Sequence, residues 1–172
     1  MLALKLTGAV LLIGSMVALA LSYRRQLVAT LSLIRAWRAF LRRMCHAVRS
    51  TGVELGEIMR GVERDLPLRR SLLGENVAFE TPMTSADEAF GEICRGAARH
   101  LPSDAPATAQ LAALDEALAA AVSTAQVEEL LDALDAKLEL LERESARRLD
   151  QSWRAVFALC VCGALGLVLV LW

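Results

Sequence analysis

The side chains able to do chemistry in this chain are few, and their spacing argues against a reaction centre. His46 and His100 are the only histidines, and they fall in different predicted helices. Cys45 adjoins His46, but successive residues on a helix point about a third of a turn apart, so thiol and imidazole do not face each other. Cys94 stands alone, and Cys160 and Cys162 sit inside an uncharged run where a thiol serves as apolar filler. Neither a phosphate-cradling Gly-x-x-x-x-Gly-Lys loop, nor a Gly-x-Ser-x-Gly elbow, nor a zinc-binding His-Glu-x-x-His occurs. The acids Glu128, Glu129, Asp132, Asp135, Glu139 and Glu142 recur along one stretch. A di-metal site in a helical bundle would set such acids beside Glu-x-x-His pairs, and the chain has none. We therefore assign no catalytic, cofactor-binding or metal-ligating residue and expect a protein that is not an enzyme. A solvated face is the expected role of these acids, and charged docking is the remaining chemistry. Arg35, Arg38, Arg42, Arg43 and Arg49, with Glu128, Glu129, Asp132, Asp135 and Glu139, are the candidate contacts with a partner or with lipid.

The elements that would carry these residues begin with the two ends of the chain. Hydrophobic residues make up 55% of the 172 positions and mean hydropathy is +0.42, too apolar for an ordinary soluble domain of this size. Leu6 to Tyr23 contains no charge, and neither does Ala155 to Trp172. Each run of 18 residues gives roughly 27 Å of helix, close to the roughly 30 Å of a bilayer's hydrocarbon core. Arginines flank both runs on the inner side, Arg24 and Arg25 after the first and Arg147, Arg148 and Arg154 before the second. Such flanks resist translocation. The expected architecture is all-α, with a transmembrane helix at 1–23, a cytoplasmic helical bundle at 24–154 and a second transmembrane helix at 155–172. Both termini would be extracytoplasmic. Ala18-Leu19-Ala20 has the form of a signal cleavage site and leaves open a processed first segment. The separated cysteines suit a reducing compartment rather than a disulfide framework.

Net charge is only −1, yet residues 24–70 balance at +7 and residues 71–146 at −11. The expected use of that asymmetry is pairing of the two stretches within one bundle while the arginines near the membrane meet anionic lipid head groups, with a charged docking face for a partner as the alternative. Nucleic acid is not expected, because few aromatics interleave the arginines.

Within the middle segment, Leu27, Leu31, Ile34, Trp37, Leu41, Met44 and Val48 recur at spacings of three and four, one stripe of a long helix. No Gly or Pro lies between Ser15 and Ser50, so this helix continues out of the first apolar run. Thr51-x-x-Glu54 has the form of a capping box, in which side chains satisfy orphan backbone N–H groups. It predicts a second helix ending at Leu66, where Pro67 stops it and a loop with one short turn runs to Thr84. Ser85-x-x-Glu88 opens a third helix carrying Phe90, Ile93, Ala97 and Leu101. Ser103 to Pro106 starts a fourth, with Leu111, Leu114, Leu118 and Val122. Ser123-x-x-Gln126 starts the last, whose stripe Val127, Leu131, Leu134, Leu138 and Leu141 has nothing to break it before the second apolar run. Two stripes of this kind pack against each other most simply within one chain. Heptad spacing also permits a coiled coil with a second copy, which leaves a homo-oligomer open.

Several segments resemble the stage III sporulation protein AB family of endospore-forming bacteria. Lys5-Leu6-Thr7-Gly8-Ala9-Val10-Leu11-Leu12-Ile13-Gly14 is similar to the family's start, and Trp153-Arg154 followed by an apolar run through Gly163 and Gly166 is similar to its end. Thr51 stands where the family has a Thr-Pro-Leu turn, without the Pro, and Gln126 matches a helix-opening Gln. The resemblance implies a likeness to the F-type platform proteins of type II secretion. It also implies a place in a channel between mother cell and forespore, in the mother-cell membrane. Other channel proteins would be the partners, among them a cytosolic secretion-type ATPase. The expected function is thus a membrane-anchored scaffold of that channel, with the helical domain docking the ATPase. The alternative is a stand-alone membrane sensor or regulator, with no secretion ATPase involved.

Overall fold

The computed structural model describes residues 2–51, 66–73 and 86–171. Among them all regular structure is helical: α1 (Leu2–Thr51), α2 (Leu66–Leu73), α3 (Ala86–Ala98), α4 (Pro106–Ala112), α5 (Leu114–Ala120) and α6 (Thr124–Leu171). Thr51, the expected first residue of a capping box, is instead the last residue of α1; the rest of the box and the helix expected after it lie outside the described residues, as does Ser85 before α3. Among the described residues no helix is long and apolar enough to cross a membrane. The two uncharged runs of the sequence extend into residues whose side chains are outside that set.

Two compact units draw on the long helices, one comprising Met1–Ala29 and Glu144–Trp172 and the other Thr30–Arg143. The second unit holds the core. From α1 it buries Ile34, Trp37, Leu41 and Met44, as the stripe predicts, and also Leu33, Phe40 and Cys45. That wider arc reflects cover from more than one neighbour. Trp37 and Phe40 meet edge to face at 5.7 Å, and Phe40 meets Phe90 of α3 at 6.2 Å. From α6 come Leu131, Leu134, Leu138 and Leu141, and from α3 Phe90, Ile93, Cys94 and Ala97. Burying a leucine or phenylalanine of this kind contributes about 2 kcal/mol.

Two sequence expectations need correction. Of the loop with one short turn expected over 67–84, residues 67–73 belong to the helix α2, with Pro67 at its second residue, and the rest lies outside the described residues. Proline lacks an N–H, but the first turn of a helix has no acceptor for one, so the residue that ends one helix can open the next. The single helix expected after Pro106 is divided at Ala113, whose φ of −101° and ψ of 12° interrupt it. The interruption is slight, because Ala113 N–H still donates to Ala109 O and Ala117 N–H to Ala113 O. Leu111, Leu114 and Leu118 therefore stay buried in phase, whereas Val122, beyond the end of α5, is exposed.

The opening of α6 follows the predicted box in its forward bond, while the return bond reaches the residue before the cap. Gln126 N–H donates to Ser123 Oγ at 3.3 Å, and Gln126 Oε1 accepts from Val122 N–H at 2.9 Å. At the start of α4, by contrast, no side chain caps the helix; Thr108 Oγ1 instead donates to Pro102 O at 2.6 Å.

Candidate interaction surfaces

The arginines of α1 and the acids of α6 meet within the Thr30–Arg143 unit. Arg35, Arg42 and Arg49 are spaced by seven residues, and so are Glu142, Asp135 and Glu128, which they face in reverse order. Seven residues is close to two helical turns, so each set projects from one face of its helix and the antiparallel register repeats. Arg35 Nε reaches Glu142 at 2.8 Å, Arg42 Nε reaches Asp135 at 3.2 Å and Arg49 Nε reaches Glu128 at 3.0 Å. Arg49 also donates to Asp132 at 2.7 Å.

Arg38 lies between the first two rungs and has the least exposed side chain of the four, at 13%. Its guanidinium donates to Asp135 at 2.9 Å, to Glu139 at 2.9 Å and to Glu142 at 2.6 Å. Asp135, first among these carboxylates, holds the Arg38 guanidinium further above its ordinary range. On the other side of the pair, hydrogen bonds from Arg35 and then Arg38 hold the Glu142 carboxyl below the usual range. Charge-assisted bonds of this kind are roughly twice as strong as neutral ones.

The candidate contact residues thus divide. Arg35, Arg38, Arg42, Arg49, Glu128, Asp132, Asp135 and Glu139 pair inside the chain, the arrangement expected from the opposite charge of the two stretches. Arg43 and Glu129 are exposed and have no ion-pair partner among the described residues. Glu142 was absent from the candidate contacts, yet it serves both Arg35 and Arg38; its seven-residue spacing from Asp135 is the signal that could have found it.

The nucleophile candidates are separated as their spacing implies. Cys45 is buried, its thiol directed at Asp132 Oδ1 at 3.5 Å and pushed up in pKa by burial. His46 is exposed, and Ser50 Oγ lies 3.3 Å from its Nδ1 while donating to His46 O at 2.7 Å. Cys94 is fully buried, and burial pushes its thiol well up. His100 is exposed in the turn after α3. The side chains of Cys160 and Cys162 lie outside the described set. Among the described residues no three His, Cys, Asp or Glu side chains converge in a metal-sized cluster.

Three close approaches set the positions of the short helices. Trp37 Nε1 donates to Leu72 O at 2.8 Å in a buried bond, satisfying a carbonyl in the last turn of α2. Gly91 of α3 lies against the Asp115 side chain, which accepts from Arg95 at 3.1 Å, and Gly96 lies against Leu73.

An apolar furrow of about 410 Å³ runs between the α4–α5 segment and α6. One wall is Gln110, Ala113, Leu114 and Ala117, and the other is Gln126, Glu129, Leu130, Ala133 and Leu134. Sequence reading missed it, because small alanines on a helix look like filler and only the packed helices leave the space above them.

In the other unit, the Arg24 guanidinium lies 5.0 Å from the centre of the Trp153 ring. Tyr23, Arg24, Trp153 and Arg154 are all exposed there. This basic and aromatic set adjoins the inner ends of both uncharged runs.

Residues 5–172 match the stage III sporulation protein AB family, essentially the whole chain. No curated protein and no solved structure matches the chain.

Proposed function

Because the chain belongs to the stage III sporulation protein AB family, we propose that it is a membrane-anchored scaffold of a secretion-like channel in endospore formation, and not an enzyme. Two transmembrane helices would cover residues 1–23 and 155–172, with both termini outside and the helical domain in the cytoplasm, where it docks a cytosolic secretion-type ATPase.

The observation that carries the anchoring is the distribution of exposed apolar surface. Of the eleven large apolar side chains exposed among the described residues, nine belong to the unit formed by the chain's two ends. They include Leu11 at 74%, Leu19 at 71% and Phe157 at 66%. Apolar surface of this density needs a cover, and a lipid bilayer supplies one. Arg24, Tyr23, Trp153 and Arg154 fit the head-group level, where aromatic and basic side chains concentrate. The scaffold reading draws on the family and on a second unit in which Arg35, Arg38, Arg42 and Arg49 of α1 pair with acids of α6.

Deletion of the gene tests the role. The expected outcome is loss of late sporulation gene expression with unchanged vegetative growth, together with co-purification of the tagged protein and a secretion-type ATPase. Normal spore yield contradicts it.

A further inference from the structure

The charged faces of α1 and α6 are engaged with each other, so a docking surface has to be sought elsewhere on the Thr30–Arg143 unit. The furrow between α5 and α6 has the shape for it. Its α6 wall uses positions 126, 129, 130, 133 and 134, and the facing wall positions 110, 113, 114 and 117. Both follow the three-and-four spacing of a helix face over about two turns, roughly 12 Å. Alanines on each wall let another backbone come close, while the half-buried Leu130 gives apolar contact. Helix-in-groove recognition uses this kind of surface, with anchors at matching intervals on the incoming helix.

Charge selects the occupant. Glu129 is exposed in the wall and has no ion-pair partner among the described residues, although its neighbour Glu128 is paired with Arg49. Gln126 already accepts the Val122 N–H. The free carboxylate beside an apolar strip therefore favours a cation next to an apolar stripe. Among the described residues of the same unit, a second copy of this chain offers no such stripe. There the exposed large apolar side chains among the described residues are Val122 and Leu140, one in a connection and one on α6.

We propose that this furrow receives an amphipathic helix of a partner protein, its apolar stripe seated between Ala117 and Ala133 and a Lys or Arg paired with Glu129. The proposal rests on the docking role given above and assigns it a place.

The test uses the full chain in lipid nanodiscs and a fluorescent synthetic helix with leucines at i, i+4, i+7 and i+11 flanked by one lysine. A twin peptide carries glutamate in place of the lysine. The expected result is saturable binding of the lysine peptide, weakened roughly fivefold both in the glutamate twin and by Glu129→Gln, as for an exposed ion pair. Ala117→Phe fills the furrow from a partly exposed position and is expected to remove binding with thermal melting unchanged. Ala133→Phe does the same from the opposite wall. Equal affinity for the two peptides, or binding retained in both filled variants, overturns the proposal. So does self-association that Ala117→Phe abolishes, which would assign the furrow to a second copy. Saturation by a small apolar dye that the peptides fail to displace would make it a ligand pocket and overturns it too. Neither the deletion phenotype nor membrane topology depends on these variants, so failure here leaves the anchoring intact and failure there leaves the furrow to be judged by its own binding.

Discussion

At Arg38 three carboxylates converge on one guanidinium that is mostly out of water. Removing it leaves Asp135, Glu139 and Glu142 facing one another with their largest compensating charge gone. Fully buried pairs broken in this way cost about 3–5 kcal/mol, and these acids keep partial access to solvent. Arg38→Met is thus expected to destabilise the helical unit by about 2 kcal/mol in denaturant titration followed by circular dichroism. Arg35→Ala removes a side chain that is 61% exposed, and about 0–1 kcal/mol is expected. Equal losses would show that the apolar stripes alone hold the two helices together. Glu142 adds a pH dependence with a defined sign. Its folded pKa is depressed by Arg35 and then Arg38, so its contribution is fully present above the ordinary glutamate range and is lost as pH falls through the folded value. Thermal melting is expected to drop on acidification below that range, and to drop less in Glu142→Gln. An identical acid profile for the variant would remove Glu142 from the account.

Among the elements, α2 shows how one hydrogen bond can hold a short helix. Eight residues are too few for a helix to persist without tertiary contacts, and α2 relies on Leu72, Leu73 and the bond from Trp37 to Leu72 O. Trp37→Phe keeps most of the apolar contact and leaves that carbonyl unpaired, a loss of about 1–3 kcal/mol. Hydrogen exchange should then accelerate in residues 66–73 more than in α6. Uniform acceleration, or none, would contradict the anchor. Both long helices were legible in the sequence, because their apolar spacing recorded which face is buried, and Ser123 and Gln126 marked the start of α6 through backbone chemistry local to it. The pairing of Arg35, Arg42 and Arg49 with α6 was legible only as a charge balance, since register depends on how two distant segments align. Pro67 misled because the same ring that ends one helix is accepted in the first turn of another. Nothing in the composition around Ala113 signals a break, and the furrow exists only once α5 and α6 are side by side.

For the whole molecule, the proposed function assigns the two units to different solvents. Among its described residues, Thr30–Arg143 buries most of its large apolar side chains and pairs Arg35, Arg38, Arg42 and Arg49 with acids of α6. The unit made from the chain's ends instead leaves leucines, Tyr23, Trp153 and Phe157 exposed, and its uncharged runs have the length of a bilayer core. The central claim is that both ends cross the membrane with the helical domain inside. Single cysteines placed at the N-terminus, in the 103–106 segment and after Trp172 of an otherwise cysteine-free chain, then labelled in intact cells with an impermeant maleimide, test it most directly. Labelling at the two termini and not at the 103–106 segment is the predicted result. Labelling at the 103–106 segment would put the helical domain outside the cell and contradict the account.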